Sequence, residues 1–119
     1  GIGALAIGEV DEYPIIVSSS SLRSDGKLQI WDAYTGRIRS EALTEHRGKV
    51  TALKLGKIAD EPVIISGGED NTVRLWSFRS QQLLKVIPIN SYIHNIEVWR
   101  DSTIAVCGYR GVLILDLLK

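Results

Sequence analysis

Two stretches of this chain are variants of one text. ALAIGEVDEYPIIVSSSSLRSDGKLQIWDAYTG (residues 4–36) runs in step with ALKLGKIADEPVIISGGEDNTVRLWSFRS (52–80). Pro14 matches Pro62, Ser18 matches Ser66, Asp25 matches Asp70 and Trp31 matches Trp76. The offset is 48 residues before an LRS insertion (22–24) and 45 after it. A weaker third copy runs from IHNIEVW (93–99) through TIAVCGYRGVLILDL (103–117). There Cys107-Gly108 lines up with Ser66-Gly67, and Leu115-Asp116 falls where the other copies have Trp31-Asp32 and Trp76-Ser77. Such a repeat narrows the fold more than any other feature, because each copy must bury its apolar faces against its neighbours.

Within each copy the apolar runs are short. ALAI (4–7), PIIV (14–17), KLQIW (27–31), VTALKL (50–55), PVIIS (62–66), TVRLW (72–76), LLKVI (83–87), IHNIEV (93–98), TIAVCG (103–108) and GVLILDL (111–117) are rich in Val and Ile or alternate apolar with polar. Turn formers separate them, and no segment keeps a helical period for three turns. The expected class is all-β. A period near 45 residues with about four strands per copy is that of a propeller blade. Blade one takes about residues 1–45, blade two about 46–90 and blade three about 91–119, the last without an outer strand.

The opening GIGALAIGEV resembles a phosphate-binding glycine turn. That turn needs a strand before the glycines and a helix after them. Here Pro14 and a serine run follow within one short element, and the segment aligns with the inner strand KVTALKLGKI (49–58). It reads as a strand whose small residues suit close packing near a propeller axis. Lys+Arg and Asp+Glu both number 14, so net charge gives no support to a nucleic-acid or anionic-membrane role. Cys107 is the one cysteine; it excludes an intrachain disulfide and is compatible with a reducing compartment, so a cytoplasmic location is expected. Cys107 is read as a small buried apolar residue, and Ile104, Val106, Val112, Ile114 and Leu115 as the core of blade three.

SGGEDNTVRLW (66–76) and LQIWDAYTGR (28–37) resemble the motifs of the WD40 repeat family. The resemblance covers nearly the whole chain. It implies a structural hydrogen-bond network of His46, Ser66, Asp70 and Trp76 in blade two, and of Ser18, Asp25 and Trp31 in blade one. Ser66 is the expected acceptor for the Trp76 indole N–H, and His46 the bridge between Ser66 and Asp70. On that reading Trp76→Phe or Asp70→Ala each costs roughly 1–3 kcal/mol. A Ser-His-Asp catalytic reading needs a nucleophile activated by the base and an oxyanion hole beside it, and Ser66 in a strand next to a Trp partner fits a structural role far better. No Cys/His cluster has metal spacing, and no cofactor is expected. His94 does not match the network position and reads as an ordinary strand residue.

The resemblance also implies docking of partners on the face formed by the loops before the inner strands and those joining second to third strands. That face would carry Arg23, Arg47, Lys49, Glu69, Tyr92, Tyr109 and Arg110, with Tyr92, Tyr109 and Arg110 the stronger candidates. Three blades do not close a ring that typically holds four to eight. A complementary polypeptide, or the remainder of the same precursor, is therefore expected to supply the missing blades; a homo-oligomer is the alternative. The expected function is a non-enzymatic protein-protein interaction scaffold. The competing class is a propeller enzyme or small-ligand or glycan binder using the central channel.

Overall fold

The computed structural model describes residues 2–20, 27–43, 46–100 and 102–118. Eleven strands fill them, and no helix is present among the described residues. They are β1 (Ile2–Val10), β2 (Tyr13–Ser20), β3 (Lys27–Asp32), β4 (Ile38–Leu43), β5 (Val50–Ile58), β6 (Glu61–Gly68), β7 (Thr72–Ser77), β8 (Leu83–Pro88), β9 (Ile93–Trp99), β10 (Thr103–Gly108) and β11 (Gly111–Asp116). Three antiparallel meanders result, ordered β1-β2-β3-β4, β5-β6-β7-β8 and β9-β10-β11. The fold is all-β, a portion of an open propeller.

Two-residue turns set the first hairpin of blades one and two. Val10 pairs with Tyr13 and Ile58 with Glu61. The residues between, Asp11-Glu12 and Ala59-Asp60, all have positive φ, the backbone of a type I′ turn that matches the twist of the flanking strands. Each turn holds one aspartate, which tolerates that conformation better than Glu12 or Ala59 does.

Strand alternation divides each sheet into two faces, and the blades stack one face on the next. Ala4, Ala6, Ile15, Val17, Leu28 and Ile30 of blade one meet Leu53, Ile64 and Trp76 of blade two. The other face of blade two, with Ala52, Val63, Ile65, Val73 and Leu75, meets Ile93, Ile96, Ile104 and Val106 of blade three. β5 lies between β1 and β9, which places the inner strands side by side. The opening segment is thus the inner strand the glycine argument expected.

Blade three departs from two expectations. Register pairs Gly67 with Val73 and Ile64 with Trp76 in blade two, and Cys107 with Val112 and Ile104 with Leu115 in blade three. Val106, not Cys107, therefore occupies the position of Ser66. The connection from Val106 to Leu115 is one residue shorter than that from Ser66 to Trp76, so alignment by Cys-Gly slips by one. A slip of one turns a side chain to the opposite face. Cys107 is accordingly exposed, not buried. Val112 and Ile114 share its face and are 67% and 62% exposed, so they are not core. Ile104, Val106 and the partly buried Leu115 do pack against blade two.

Candidate functional site

The residues singled out in the sequence gather at one end of the sheets. Val50 pairs with Gly68, and both Ile93 and Gly111 pair with Gly108. The turns at 69–71 and 109–110 and the connections preceding β5 and β9 therefore lie together. Two bonds fasten this end, the first between blades two and three and the second within blade two. Thr51 Oγ1 donates to the Ile93 carbonyl at 2.6 Å, and Glu69 N–H donates to the Lys49 carbonyl at 2.9 Å.

His46 is the centre of the polar network in blade two. It is buried although it precedes a loop glycine. Gly68 makes this possible: a Cβ there would sit 2.6 Å from His46 Nδ1. Nδ1 lies 2.9 Å from Asp70 Oδ1 and Nε2 lies 2.8 Å from Ser66 Oγ. A carboxylate only accepts, so Nδ1–H donates to Asp70 and Nε2 accepts from the Ser66 hydroxyl. Asp70 also accepts from Arg47 N–H at 3.0 Å and Thr72 Oγ1 at 2.8 Å. Burial pushes Asp70 upward, but these donors outweigh it and hold the carboxyl below its ordinary range. For His46 burial wins over the neighbouring carboxylate and lowers its pKa, so the ring is kept neutral.

Trp76 is where the arrangement differs from expectation. Its Nε1 is buried and has no hydrogen-bond partner among the described residues. Ser66 donates its proton to His46 and does not accept from this indole. In blade one the expected bond is present, Trp31 Nε1 donating to Ser18 Oγ at 2.9 Å. Asp25 and Arg23 lie outside the described residues.

Around this network the surface is open. Arg47, Lys49, Glu69, Tyr109 and Arg110 are exposed and Tyr92 is half-buried. Glu69 is turned onto the connection preceding β5, accepting from Lys49 N–H at 2.8 Å. Tyr92 and Tyr109 come together with a third ring that sequence reasoning passed over. His94 lies 4.9 Å from each of them, and the two tyrosines are 5.9 Å apart between centroids. Ser91 Oγ accepts the Tyr109 N–H at 3.1 Å, which fixes one loop against the other. Strand alternation held the signal: Ile93 points into the core, so its neighbour His94 is turned outward.

The opposite end holds a cleft of about 680 Å³ between blades one and two, lined by Tyr13, Asp32, Arg39, Phe78, Arg79 and neighbours. Its polar groups satisfy one another. Tyr13 Oη donates to Asp32 at 2.6 Å, and Arg79 binds Asp11 at 2.8 and 3.0 Å and Glu61 at 3.2 Å. That pairing cross-links two blades and presents no nucleophile beside a base. Among the described residues no group of three or more His, Cys, Asp or Glu is placed to hold a metal.

Residues 37–77 match the family described as "WD domain, G-beta repeat". Ribosome biogenesis protein YTM1 of Coccidioides immitis (strain RS) is 33% identical over 86 residues, which are 72% of this chain and 18% of that protein. WD repeat-containing protein 18 of Bos taurus is 40% identical over 50 residues, 42% of this chain and 11% of its own length. Eukaryotic translation initiation factor 3 subunit I of Botryotinia fuckeliana (strain B05.10) is 29% identical over 104 residues, 82% of this chain and 30% of its own length. The chain spans less than a third of each of these relatives.

Proposed function

This is a WD40-repeat chain, and on that premise we propose that it is a propeller portion serving as a non-enzymatic protein-interaction scaffold, completed by a further polypeptide segment. The observation that carries the reading is the exposed ring cluster of Tyr92, His94 and Tyr109. It stands at the same end as Arg47, Lys49 and Arg110. Aromatic and arginine side chains supply most of the energy at protein interfaces, and here they are held by Ser91 and by strand pairing before any partner arrives. The edge of β11 supports the completion part, since Val112, Leu113 and Ile114 are all exposed along a strand that among the described residues pairs with β10 alone.

Selection of a displayed peptide library against the 119-residue protein tests the scaffold reading. Binders are expected that weaken at least about tenfold on Tyr109→Ala or Arg110→Glu, at unchanged Tm. Binders indifferent to both changes would move the docking surface elsewhere. Failure to recover any binder, together with stabilisation by a glycan or nucleotide, would favour the ligand-binding class.

A further inference from the structure

The chain as a whole is balanced in charge, with 14 cationic and 14 acidic side chains, but the end that carries Tyr92, His94 and Tyr109 is not. Its acids are spent on the main chain. Asp70 Oδ2 accepts the Arg47 N–H at 3.0 Å, and Glu69 Oε1 accepts the Lys49 N–H at 2.8 Å. Gly48 lies between the two at φ +100°, and a Cβ on it would come within 3.3 Å of Glu69 Cβ, so the connection closes down on the 69–71 turn. Asp70 also accepts from His46 and Thr72 and has the Arg74 guanidinium 3.7 Å away. Glu69 is then the one exposed carboxylate in the loops at 46–49, 69–71, 89–92 and 109–110.

The cations beside these acids are unspent. Arg47 and Lys49 are anchored through their backbone N–H groups, which leaves their side chains to solvent, and Arg110 is exposed in the two-residue turn between β10 and β11. Among the described residues none of the three side chains has an ion pair or a hydrogen bond, and neither has the Tyr92 or Tyr109 hydroxyl. Arg and Lys only donate, so the free capacity at this end is mostly that of donors. Thr51 brings cations and rings together. Its bond to the Ile93 carbonyl holds a point two residues beyond Lys49 against the residue between Tyr92 and His94. The rings themselves offer apolar surface, Tyr109 being 78% exposed. A cationic ligand would find ring faces here but would meet three like charges. Successive bases of a nucleic acid stack on separate flat platforms, whereas these rings are packed on one another at interplanar angles of 56°, 47° and 87°.

We propose that this end binds an acidic peptide segment, with carboxylates on Arg47, Lys49 and Arg110 and an apolar side chain against the rings of Tyr92, His94 and Tyr109. The inference rests on the reading of this end as the docking surface, and it gives the partner a chemistry. Hydrogen bonds from guanidinium and ammonium groups to a carboxylate are stronger than neutral ones, and a patch of one sign speeds encounter with a segment of the other. Asp70 and Glu69 fix the backbone of Arg47 and Lys49 before a partner arrives, so less ordering is left to be done on binding.

Sequencing the displayed peptides recovered by the wild type and by an Arg47→Glu/Arg110→Glu double variant tests this. Wild-type binders that weaken about tenfold on Tyr109→Ala should be rich in Asp and Glu around an aliphatic or aromatic residue. Their affinity should fall by roughly tenfold or more as ionic strength rises from about 0.1 to about 1 M. The double variant should select Lys- and Arg-rich peptides instead, because the sign of the patch is reversed. Both substituted side chains are exposed, and Tm is recorded for each variant to show that the fold is kept. Tyr109-dependent binders that are neutral or basic, or an acidic preference that survives the reversal, would overturn the proposal and leave the scaffold reading standing. Tighter binding of single-stranded oligouridylate than of the acidic peptides would also overturn it, in favour of a nucleic acid. Recovery of no Tyr109-dependent binder at all would remove the docking reading and this proposal with it.

Discussion

Blades one and two share a backbone register and hold their tryptophans differently. Ile16 faces Trp31 and Ser18 faces Gln29 in the first sheet; Ile64 faces Trp76 and Ser66 faces Arg74 in the second. In the first, the indole of a half-buried tryptophan donates to the serine. In the second, the serine donates to a buried histidine, and the indole is left to packing. The same motif letters thus support two bonding schemes. A serine hydroxyl has one proton to give, and the direction it gives it in fixes where its lone pairs point. Position in a motif places the Cα; the side-chain geometry around it places the bond.

The largest effect that tests this contrast is removal of the histidine. His46→Ala should lower stability by about 2–4 kcal/mol, because it leaves Ser66 and Asp70 buried without their shared partner and opens a void. That is a fall in Tm of roughly 10 °C for a domain of this size. A much smaller fall would mean that water replaces the ring without loss.

Acidification should act on blade two alone and more mildly. The pKa of His46 in the folded chain is below its ordinary 6.5, so the unfolded chain binds the extra proton first. Stability is then fully present above about pH 6.5 and declines as pH falls from there toward the folded value. Asp70, also lowered, makes a contribution that is present above the ordinary carboxylate range and is lost only as pH falls through its own folded value. Tm measured between pH 7.5 and 5.5 should therefore drop in the wild type and flatten in His46→Gln. An unchanged slope in that variant would detach the effect from His46.

The finest test is a pair of double-mutant cycles. Trp31→Phe with Ser18→Ala should show a coupling of about 1 kcal/mol, the worth of one hydrogen bond. Trp76→Phe with Ser66→Ala should show a coupling near zero, with Trp76→Phe costing only what its lost packing costs. Equal couplings in the two blades would erase the contrast. This replaces the expectation from sequence that Trp76→Phe breaks a network bond.

How far the sequence reached is clearest in blade three. Its three strands were legible from the alternation of Ile, Val and Ala with polar residues, and the equivalence of Leu115 to Trp31 and Trp76 followed from the repeat. Cys107 was misplaced because a shortened connection shifts the alignment by one residue, and in a strand one residue is a change of face. Val112 and Ile114 were read as core because apolar residues in a strand usually face one. His94 was passed over because only the tertiary arrangement brings the loop of Tyr92 and the turn of Tyr109 against it.

Resemblance to the WD40 family pointed to His46, Ser66 and Asp70; the sequence by itself established the repeat, the strands and the turns between them. These depend on spacing along one strand or between neighbours in a hairpin, and such spacing is written directly in the order of residues. The tertiary structure decided which hydroxyl proton goes to which acceptor, and which apolar rows are covered and which stand open. Each of these depends on what a neighbouring blade places within a few ångströms, a distance that no spacing along the chain encodes.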